Sequence, residues 1–281
     1  MLEKNFTTIV FGATSLIGKS IIRSNPKKIV YISRKKIKKR NIKWFKFSIN
    51  KKSKITKKRI KVGIFLISPR FVSKNFKRKI YEKEFFYLKK ILDFYRFEKF
   101  IYLSSPTIYQ KKHPIGYIKK KCEKFLIKNK KKFKNLQIWR PYNLVGEEKT
   151  NLSDHFHNFL FKKMFLQRKK GYLFSGCEND ERGYSNVNNF TKLLLRKSNR
   201  NISFVKNYGN SKSIKINEII KIYNYEYKKI NQNYFHAQFR KKISNKNLIN
   251  KKKNNCVLFR EDNKIIFKRY LKRMIKLHKI N

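Results

Sequence analysis

The chain contains few small residues and few acidic ones. Among 281 residues there are 9 Gly, 5 Pro and two Ala, and 16 Asp and Glu stand against 74 Lys and Arg, which gives a formal net charge of +58. Abundant Lys, Asn, Ile and Phe are typical of the codon usage of an AT-rich genome. Lysine is spread along the whole length, whereas a nucleic-acid site gathers its charge on one face or tail. The composition therefore predicts solvated surface lysines and disfavours a nucleic-acid partner, although the charge would help a phosphate-bearing substrate to arrive.

Cysteines and long apolar runs are also scarce. Cys122, Cys177 and Cys256 are an odd number without CxxC spacing, which argues against a disulfide framework and a zinc site. His155 and His157 would diverge on a helix, so we predict no metal site. No run approaches the roughly 20 apolar residues that span a bilayer, and the first residues lead into a strand without a cleavable leader. We expect a cytoplasmic protein without a membrane span.

Strand and helix patterns alternate through the first 140 residues. Short apolar runs predict strands at 6–11, 28–33, 43–47, 62–68, 99–105 and 136–141. Amphipathic segments between them predict helices at 15–23 and 77–97. Strands that alternate with helices form a parallel sheet covered on both faces, so the predicted fold class is α/β, with a doubly wound parallel sheet. After Pro141 we predict helices and strands at 152–167, 171–174, 187–197, 202–209, 213–223 and 263–278.

The segment VFGATSLIG, residues 10–18, joins the first strand to the first helix. Gly12 permits a tight turn, Gly18 permits close packing of the helix on the sheet, and the free N–H groups of the helix start can face a phosphate. Because the chain has only nine glycines, two of them at this junction are informative. The segment therefore predicts a phosphate-binding loop, made by Gly12, Thr14, Ser15, Leu16, Ile17 and Gly18.

This loop resembles the GxxGxxG loop of the extended short-chain dehydrogenase/reductases, the nucleotide-sugar epimerase/dehydratase family, with Ser15 in place of the middle glycine. The resemblance implies a Rossmann-type NAD(P)-binding domain over residues 1–141. It also implies a smaller substrate-binding region over 142–281, intertwined with the first. In NAD-preferring members an acidic residue at the end of the second strand holds the ribose. Here Ser33 and the basic Arg34 stand there, so between NAD and NADP as cofactor, NADP is slightly favoured.

The family also uses a Tyr-x-x-x-Lys pair, and this lysine-rich chain contains five: Tyr31/Lys35, Tyr95/Lys99, Tyr117/Lys121, Tyr208/Lys212 and Tyr225/Lys229. Only Tyr117 lies on a helix that follows the fifth strand, within YLSSPTIYQKKHPIGYIKKK. The resemblance implies that Tyr117 is the catalytic acid/base. Lys121 would hold the nicotinamide ribose and favour the phenolate electrostatically. We interpret the neighbouring Lys119 and Lys120 as products of genome bias.

Serines at the end of the fifth strand complete the implied catalytic group. Alignment of LSSPTIY with the family stretch SSxxxY implies that Ser105 polarises the substrate oxygen, with Ser104 as the less favoured neighbour. Thr107 could share this hydrogen bonding. The family's dehydratases carry Thr-Asp-Glu here, whereas this chain has no Asp or Glu between Glu98 and Glu123. Dehydration is therefore disfavoured.

The remaining chemistry leaves alternatives open. We expect an epimerase that acts on a nucleotide-linked sugar through a keto intermediate. An NADPH-dependent keto-sugar or carbonyl reductase is the alternative. A non-catalytic nucleotide- or RNA-binding module is the alternative of another class.

Two later stretches resemble family segments that contact the substrate. WRPYNLVG (139–146) resembles RPxNxxG and implies a substrate contact for Asn143. ERGYSNVNNFTKLL (181–194) resembles a stretch whose arginine binds the nucleotide diphosphate, which implies that role for Arg182. The resemblance ends near residue 223, and in the tail beyond it Arg240 is a candidate phosphate contact. A homodimer is also compatible with the family.

Overall fold

The chain is described by a computed structural model over residues 8–24, 29–34, 36–37, 42–46, 60–68, 78–110, 113–146, 156–174, 177–231, 234–239 and 256–280. It divides into two compact units. The first comprises Met1–Pro141 and Asn188–Asn207, and the second comprises Tyr142–Val187 and Tyr208–Asn281. The chain therefore passes from one unit to the other three times.

The elements follow one another closely along the described chain. The strands are β1 (Thr8–Phe11), β2 (Ile29–Ser33), β3 (Lys43–Lys46), β4 (Ile60–Phe65), β5 (Phe97–Leu103), β6 (Asn135–Pro141), β7 (Asn143–Val145), β8 (Gly171–Phe174), β9 (Glu181–Arg182), β10 (Tyr184–Asn186), β11 (Phe204–Asn210), β12 (Ile214–Lys215), β13 (His236–Phe239) and β14 (Cys256–Phe259). The α-helices are α1 (Leu16–Ser24), α2 (Arg78–Phe94), α3 (Pro114–Lys128), α4 (Phe156–Phe161), α5 (Val187–Ser198), α6 (Ile216–Asn231) and α7 (Asn263–His278). Short 3₁₀ turns span Pro106–Tyr109 and Lys130–Lys132, and a π-helical segment spans Lys162–Leu166. None of the helices in the described ranges is both long enough and apolar enough to cross a membrane.

The main sheet has the strand order β3-β2-β1-β4-β5-β6-β11-β14. Each neighbouring pair from β3 to β6 is parallel. The order reverses between β1 and β4, which is the topological switch point where open α/β sheets bind their ligands. The predicted α/β fold with a doubly wound parallel sheet is confirmed.

Aromatic rings fill much of the core of the first unit. All five residues of β2 are buried, as expected of a parallel strand that is covered on both faces. Phe11 meets Phe97 edge to face with ring centroids 6.0 Å apart, and Phe65 and Tyr102 lie 5.8 Å apart. Seven of the eighteen buried residues described in this core are aromatic, so rings make up a large share of it.

The second unit has a core of its own, formed by residues of α4, α6 and α7 together with β7 and β10. Phe267 and Leu271 of α7 are fully buried in it. The Asn210 side-chain amide donates to the carbonyls of Tyr184 (2.7 Å) and Glu261 (2.8 Å), which fixes the start of α7 against β10 and β11. The tail that matches no family stretch is therefore an integral part of this unit.

Some predicted elements differ from the observed ones. The helix predicted at 152–167 is α4 followed by the π-helical segment, and 151–155 lie outside the described residues. The helix predicted at 213–223 begins only at Ile216, after β12, and continues to Asn231. The sequence also did not predict β7, β9, β10, β13 and β14, because two to four residues show too few alternations to be recognised.

Candidate functional site

The turn after β1 is built around two glycines. Gly12 has φ = 82°, and a Cβ there would lie 2.9 Å from the backbone nitrogen of Ile67. A Cβ on Gly18 would lie 2.4 Å from the Ala13 carbonyl oxygen. Both positions therefore require glycine, since any side chain would push the turn away from β4 or α1.

Some backbone N–H groups around this turn donate to an acceptor in the protein, whereas others lie at the start of α1, where the helix offers no acceptor. The Gly12 N–H donates to the Ile32 carbonyl (2.9 Å), and the Gly18 N–H donates to the Ser15 hydroxyl (3.1 Å). Ser15, which replaces the family's middle glycine, thus caps α1. The N–H groups of Leu16 and Ile17, in the first turn of α1, have no acceptor within the helix. Tight glycines and open first-turn amides fit the diphosphate of a dinucleotide cofactor.

The end of β2 lies beside this turn, and its two candidate residues differ. Ser33 is 3% exposed, and its hydroxyl accepts a hydrogen bond from the Trp44 indole (2.8 Å), so that it belongs to the sheet interior. Arg34 follows directly and is exposed. Lys35 lies outside the described residues. Of Ser33 and Arg34, the two described residues at this strand end, Arg34 has the side chain that is open to a ligand.

Ser105 and Thr107 form one hydrogen-bonded turn after β5. The Ser105 Oγ accepts from the Thr107 backbone N–H (3.3 Å) and from the Thr107 hydroxyl (3.1 Å), and it caps the 3₁₀ turn Pro106–Tyr109. Both bonds use the Ser105 oxygen as acceptor, which leaves its hydroxyl hydrogen to donate elsewhere. Ser104 is buried, and its backbone N–H donates to Trp139 O (2.7 Å). Ser105 and Thr107 therefore lie side by side in this turn, and their roles in a site stay predictions.

Gly116 brings this turn against the helix that carries Tyr117. A Cβ on Gly116 would lie 2.2 Å from the Thr107 carbonyl oxygen, so that only glycine permits this contact. Tyr117 comes next in α3, and its side chain is 51% exposed. The structure therefore brings Ser105, Thr107 and Tyr117 into one neighbourhood. The sequence reasoning missed Gly116, although its scarcity and its place inside a helix, where glycine is unfavourable, were signals.

Two residues tie α3 to the strand ends on its inner side. Glu123 forms a buried ion pair with Arg140 at the end of β6, with Oε1 2.9 Å from Nε. Arg140 also donates to the Tyr109 hydroxyl (2.7 Å), which donates to the Asn207 side chain (3.1 Å). Tyr109, the last residue of the 3₁₀ turn, is thus linked to Arg140 of β6 and through it to Glu123 of α3.

The lysines of α3 do not all behave as predicted. Lys121 is partly buried one turn after Tyr117, and its ammonium lies 4.6 Å from the centroid of the Phe85 ring on α2. Lys119, interpreted as a product of genome bias, is only 4% exposed and forms an ion pair with the buried Glu84 (2.8 Å). The interpretation of Lys119 was wrong, because composition explains how many lysines there are and not which of them the fold buries. Lys120 is exposed, as expected of a solvated lysine.

The glycine turn and the Ser105 turn lie at the same edge of the sheet. The parallel register places Phe11 of β1 beside Phe65 of β4, and Phe65 beside Tyr102 of β5. With neighbouring strands about 4.8 Å apart, the carboxyl ends of β1 and β5 are roughly 10 Å apart. Both groups of predicted residues therefore surround the switch point of the first unit.

The predicted substrate contacts Asn143 and Arg182 lie together in the second unit. β7 and β10 pair in parallel with Asn143 beside Tyr184, and the exposed Asn143 donates to the Gly183 carbonyl (3.2 Å). Arg182, adjacent to Gly183, has its guanidinium carbon 5.9 Å from the centroid of the Phe156 ring. Its stacked and partly exposed guanidinium has the chemistry to bind a phosphate.

Other features carry no site residue. A surface cavity of about 460 Å³ lies at the opposite edge of the sheet, at the amino ends of β5 and β6, among Arg96, Glu98 and three lysines. His157 is buried against the ring of Tyr270, whereas His155 and Arg240 lie outside the described residues. Within the described ranges, no group of three His, Cys, Asp or Glu residues could hold a metal ion.

No protein-family model matches the chain, and no curated protein matches it. Solved structures do. UDP-N-acetylglucosamine 4-epimerase from Methanobrevibacter ruminantium M1, in complex with UDP-N-acetylmuramic acid, matches with 14% identity over 98% of this chain and 100% of that chain, with a TM-score of 0.71. UDP-glucose 4-epimerase from Thermotoga maritima, with UDP-glucose, matches with 14% identity over 96% and 99% of the two chains and a TM-score of 0.71.

A third structure, MoeE5 in complex with UDP-glucose and NAD, matches with 13% identity over 96% of this chain and 99% of that chain, with a TM-score of 0.68. At these identities the likeness establishes the fold. The Rossmann-type architecture that the family resemblance implied is therefore confirmed over nearly the whole chain.

Proposed function

We propose that this protein is an NAD(P)-dependent epimerase of the extended short-chain dehydrogenase/reductase type, which acts on a nucleotide-linked sugar through a keto intermediate. One observation carries the proposal: the Ser105–Thr107 turn packs on Gly116, next to Tyr117, at the sheet edge that also holds the glycine turn. The similar solved structures named as nucleotide-sugar epimerases support the same chemistry.

The catalytic roles follow from the chemistry of the side chains. Bound NAD(P) would supply the reversible hydride acceptor. Tyr117 takes the proton from a sugar hydroxyl as its carbon is oxidised, and returns it after the keto group has presented its other face. Ser105 donates its free hydroxyl hydrogen to the same oxygen. Lys121, one helical turn from Tyr117, would bind the cofactor ribose.

The cofactor assignment rests on the glycine turn of the first unit. Gly12, Ser15 and Gly18, with the first-turn amides of Leu16 and Ile17, would hold the diphosphate. Arg34 is open to a ribose 2′-phosphate, which supports NADP over NAD. Equilibrium binding of NAD and NADP to the wild type and to Arg34→Ala measures this preference, and Arg34→Ala should weaken NADP alone.

The second unit would hold the nucleotide part of the substrate. Arg182 has the charge and the planar geometry for a diphosphate, and Asn143 donates to the carbonyl of Gly183, the residue after Arg182. Arg182→Ala should therefore raise the KM for the nucleotide sugar about tenfold or more, and leave the affinity for the cofactor unchanged.

Turnover of nucleotide sugars tests the proposal directly. The purified protein is incubated with UDP-linked sugars and NAD or NADP, and epimers are detected by NMR. An epimerase produces an epimer with no net change of absorbance at 340 nm, whereas a reductase consumes NADPH in proportion to its product. No product from any nucleotide sugar, with salt-dependent RNA binding that the cofactor leaves unchanged, would contradict the proposal and favour a binding module.

A further inference from the structure

The inner side of α3 carries buried charges that neither the cofactor nor the substrate requires. Lys119 donates to Glu84 of α2 (2.8 Å) and to the carbonyl of Leu103 (2.7 Å), the last residue of β5. Its ammonium also lies 5.1 Å from the centroid of the Tyr102 ring. One lysine therefore joins two helices to the strand that ends just before Ser104 and Ser105.

The partner carboxylate is committed to this cluster. Glu84 is fully buried, and its Oε1 accepts both from Lys119 and from the Tyr102 hydroxyl (2.6 Å). Burial and then the Glu84 charge raise the pKa of Tyr102 well above its usual range, so that its hydroxyl stays protonated and donates. Among the described residues Glu84 Oε2 has no hydrogen-bond partner, so Lys119 and Tyr102 hold this buried charge between them.

The placement of acidic residues shows how specific this arrangement is. The chain has only 16 Asp and Glu, and in the described part three of them are buried: Glu84, Glu123 and Asp180. Two of these three form ion pairs that attach α3 to its neighbours. Glu84 of α2 pairs with Lys119 of α3, and Glu123 of α3 pairs with Arg140 of β6. Lys119 and Glu123 are four residues apart and share the buried side of α3, whereas Tyr117 and Lys121 share another.

We propose that Lys119 is a positioning residue, which holds the end of β5 to α3 and thereby sets Ser105 against Tyr117. The expected effect of this inference on kcat rests on the proposed function. Its expected effect on the structure rests on the contacts alone. A buried ion pair is a poor source of net stability, because desolvation offsets its Coulombic attraction. It does fix a unique geometry, and a displacement of about 1 Å between reacting groups can cost a hundredfold in rate.

The test compares two buried lysines, one at each end of β5. The double variant Lys119→Met/Glu84→Gln removes the tie without leaving a buried unpaired charge. The matched control is Lys99→Met, since Lys99 is 5% exposed and donates to the Ser198 carbonyl (2.6 Å), but belongs to the opposite, amino end of β5. Hydrogen exchange of the backbone amides of Thr107 and Tyr117 is measured in both variants.

In the double variant we expect exchange at Thr107 and Tyr117 to rise at least tenfold, and in Lys99→Met to stay within twofold of the wild type. With a nucleotide sugar that the wild type turns over, kcat should fall at least tenfold in the double variant while KM and cofactor affinity stay within twofold. A general loss of stability would not separate the two variants in this way. If the double variant does not fold, Glu84→Gln alone carries the same readouts.

The outcomes separate this inference from the proposed function. Equal exchange at these amides in both variants, or no change in either, would overturn the positioning role. A wild type without turnover on any nucleotide sugar would overturn the proposed function, and hydrogen exchange would still decide the role of Lys119. Increased exchange with an unchanged kcat would also overturn the claim that this geometry matters for the reaction.

Discussion

Two helices of this protein carry the same Tyr-x-x-x-Lys pair on an exposed face, one in each unit. Tyr117 and Lys121 lie on α3, and Tyr225 and Lys229 lie on α6. Their tyrosines are 51% and 62% exposed. In α6 the Lys229 ammonium lies 4.1 Å from the centroid of the Tyr225 ring, so the two residues of that pair mainly contact each other.

The residue before each tyrosine shows how the two regions differ. Gly116 before Tyr117 touches the Ser105–Thr107 turn. Asn224 before Tyr225 is buried, and its side chain bonds both the N–H (2.9 Å) and the C=O (3.0 Å) of Phe235. The position before Tyr117 therefore packs on the turn that carries the Ser105 and Thr107 hydroxyls, whereas the position before Tyr225 makes a structural contact. Spacing alone does not distinguish these two pairs, whereas the contacts of the preceding residue do.

Replacing each tyrosine gives the largest expected difference. Tyr117→Phe should abolish turnover, a loss of about a thousandfold, because the phenol hydroxyl carries the proton. Nucleotide binding should survive. Tyr225→Phe, the matched control, should stay within twofold of the wild type. Initial rates of epimer formation check both, and an active Tyr117→Phe enzyme would refute the catalytic assignment.

Replacing the preceding residues should separate catalysis from stability. Gly116→Ala forces the Thr107 carbonyl away from α3 and should lower kcat by up to about a hundredfold, with little change in cofactor affinity. Asn224→Ala leaves the buried Phe235 N–H and C=O without partners and should lower the free energy of unfolding by about 1–3 kcal/mol. Urea unfolding and initial rates measure the two effects. An equal fall in kcat for Asn224→Ala and Gly116→Ala, at a temperature where both are folded, would contradict the claim that only Gly116 affects catalysis.

Replacing each lysine should again lower kcat for the α3 pair and not for the α6 pair, by less than replacing the tyrosines. Lys121→Met removes the ammonium proposed to bind the cofactor ribose and should lower kcat about tenfold, equivalent to about 1.4 kcal/mol of transition-state free energy. It should also weaken cofactor binding, as titration calorimetry can measure. Lys229→Met removes only a surface contact to Tyr225 and the ion pair with Glu226, and should change neither quantity.

The smallest effect concerns the pH dependence of the start of α3. The His113 Nδ1 accepts a hydrogen bond from the Gly116 N–H (3.4 Å), and burial lowers the pKa of His113 below its usual value. Protonation is therefore easier in the unfolded chain, so the stabilising cap should be present at neutral pH and lost as the pH falls below about 6.5. His113→Asn keeps a cap that does not titrate. Between pH 7 and pH 5, the free energy of unfolding measured in urea should fall less for the variant than for the wild type. An equal fall in both proteins would contradict the cap.

Much of the first unit could be predicted from the sequence, since its strands are continuous apolar runs and its glycine turn has a distinctive pattern. The strands β1 and β2 and the helices α1 and α2 lie within a few residues of their expected bounds. The second unit was harder, because its strands are short and their partners are distant in sequence. In the candidate site, the order of residues along the chain was enough to propose Ser105 and Tyr117, whose roles stay predictions. The ion pairs of Lys119 with Glu84 and of Glu123 with Arg140 could not be predicted, because the sequence does not show which charged residues the fold buries.

The sequence by itself determined the fold class, the glycine turn and the order of chemistry-bearing residues, because these depend on local periodicity and on residue types that occur rarely in this chain. Only the tertiary structure showed that Gly116, next to Tyr117, packs on the Ser105–Thr107 turn, and which lysines are buried. A parallel sheet joins strands that are far apart in sequence, and their register brings the glycine turn after β1 and the Ser105 turn after β5 to one edge.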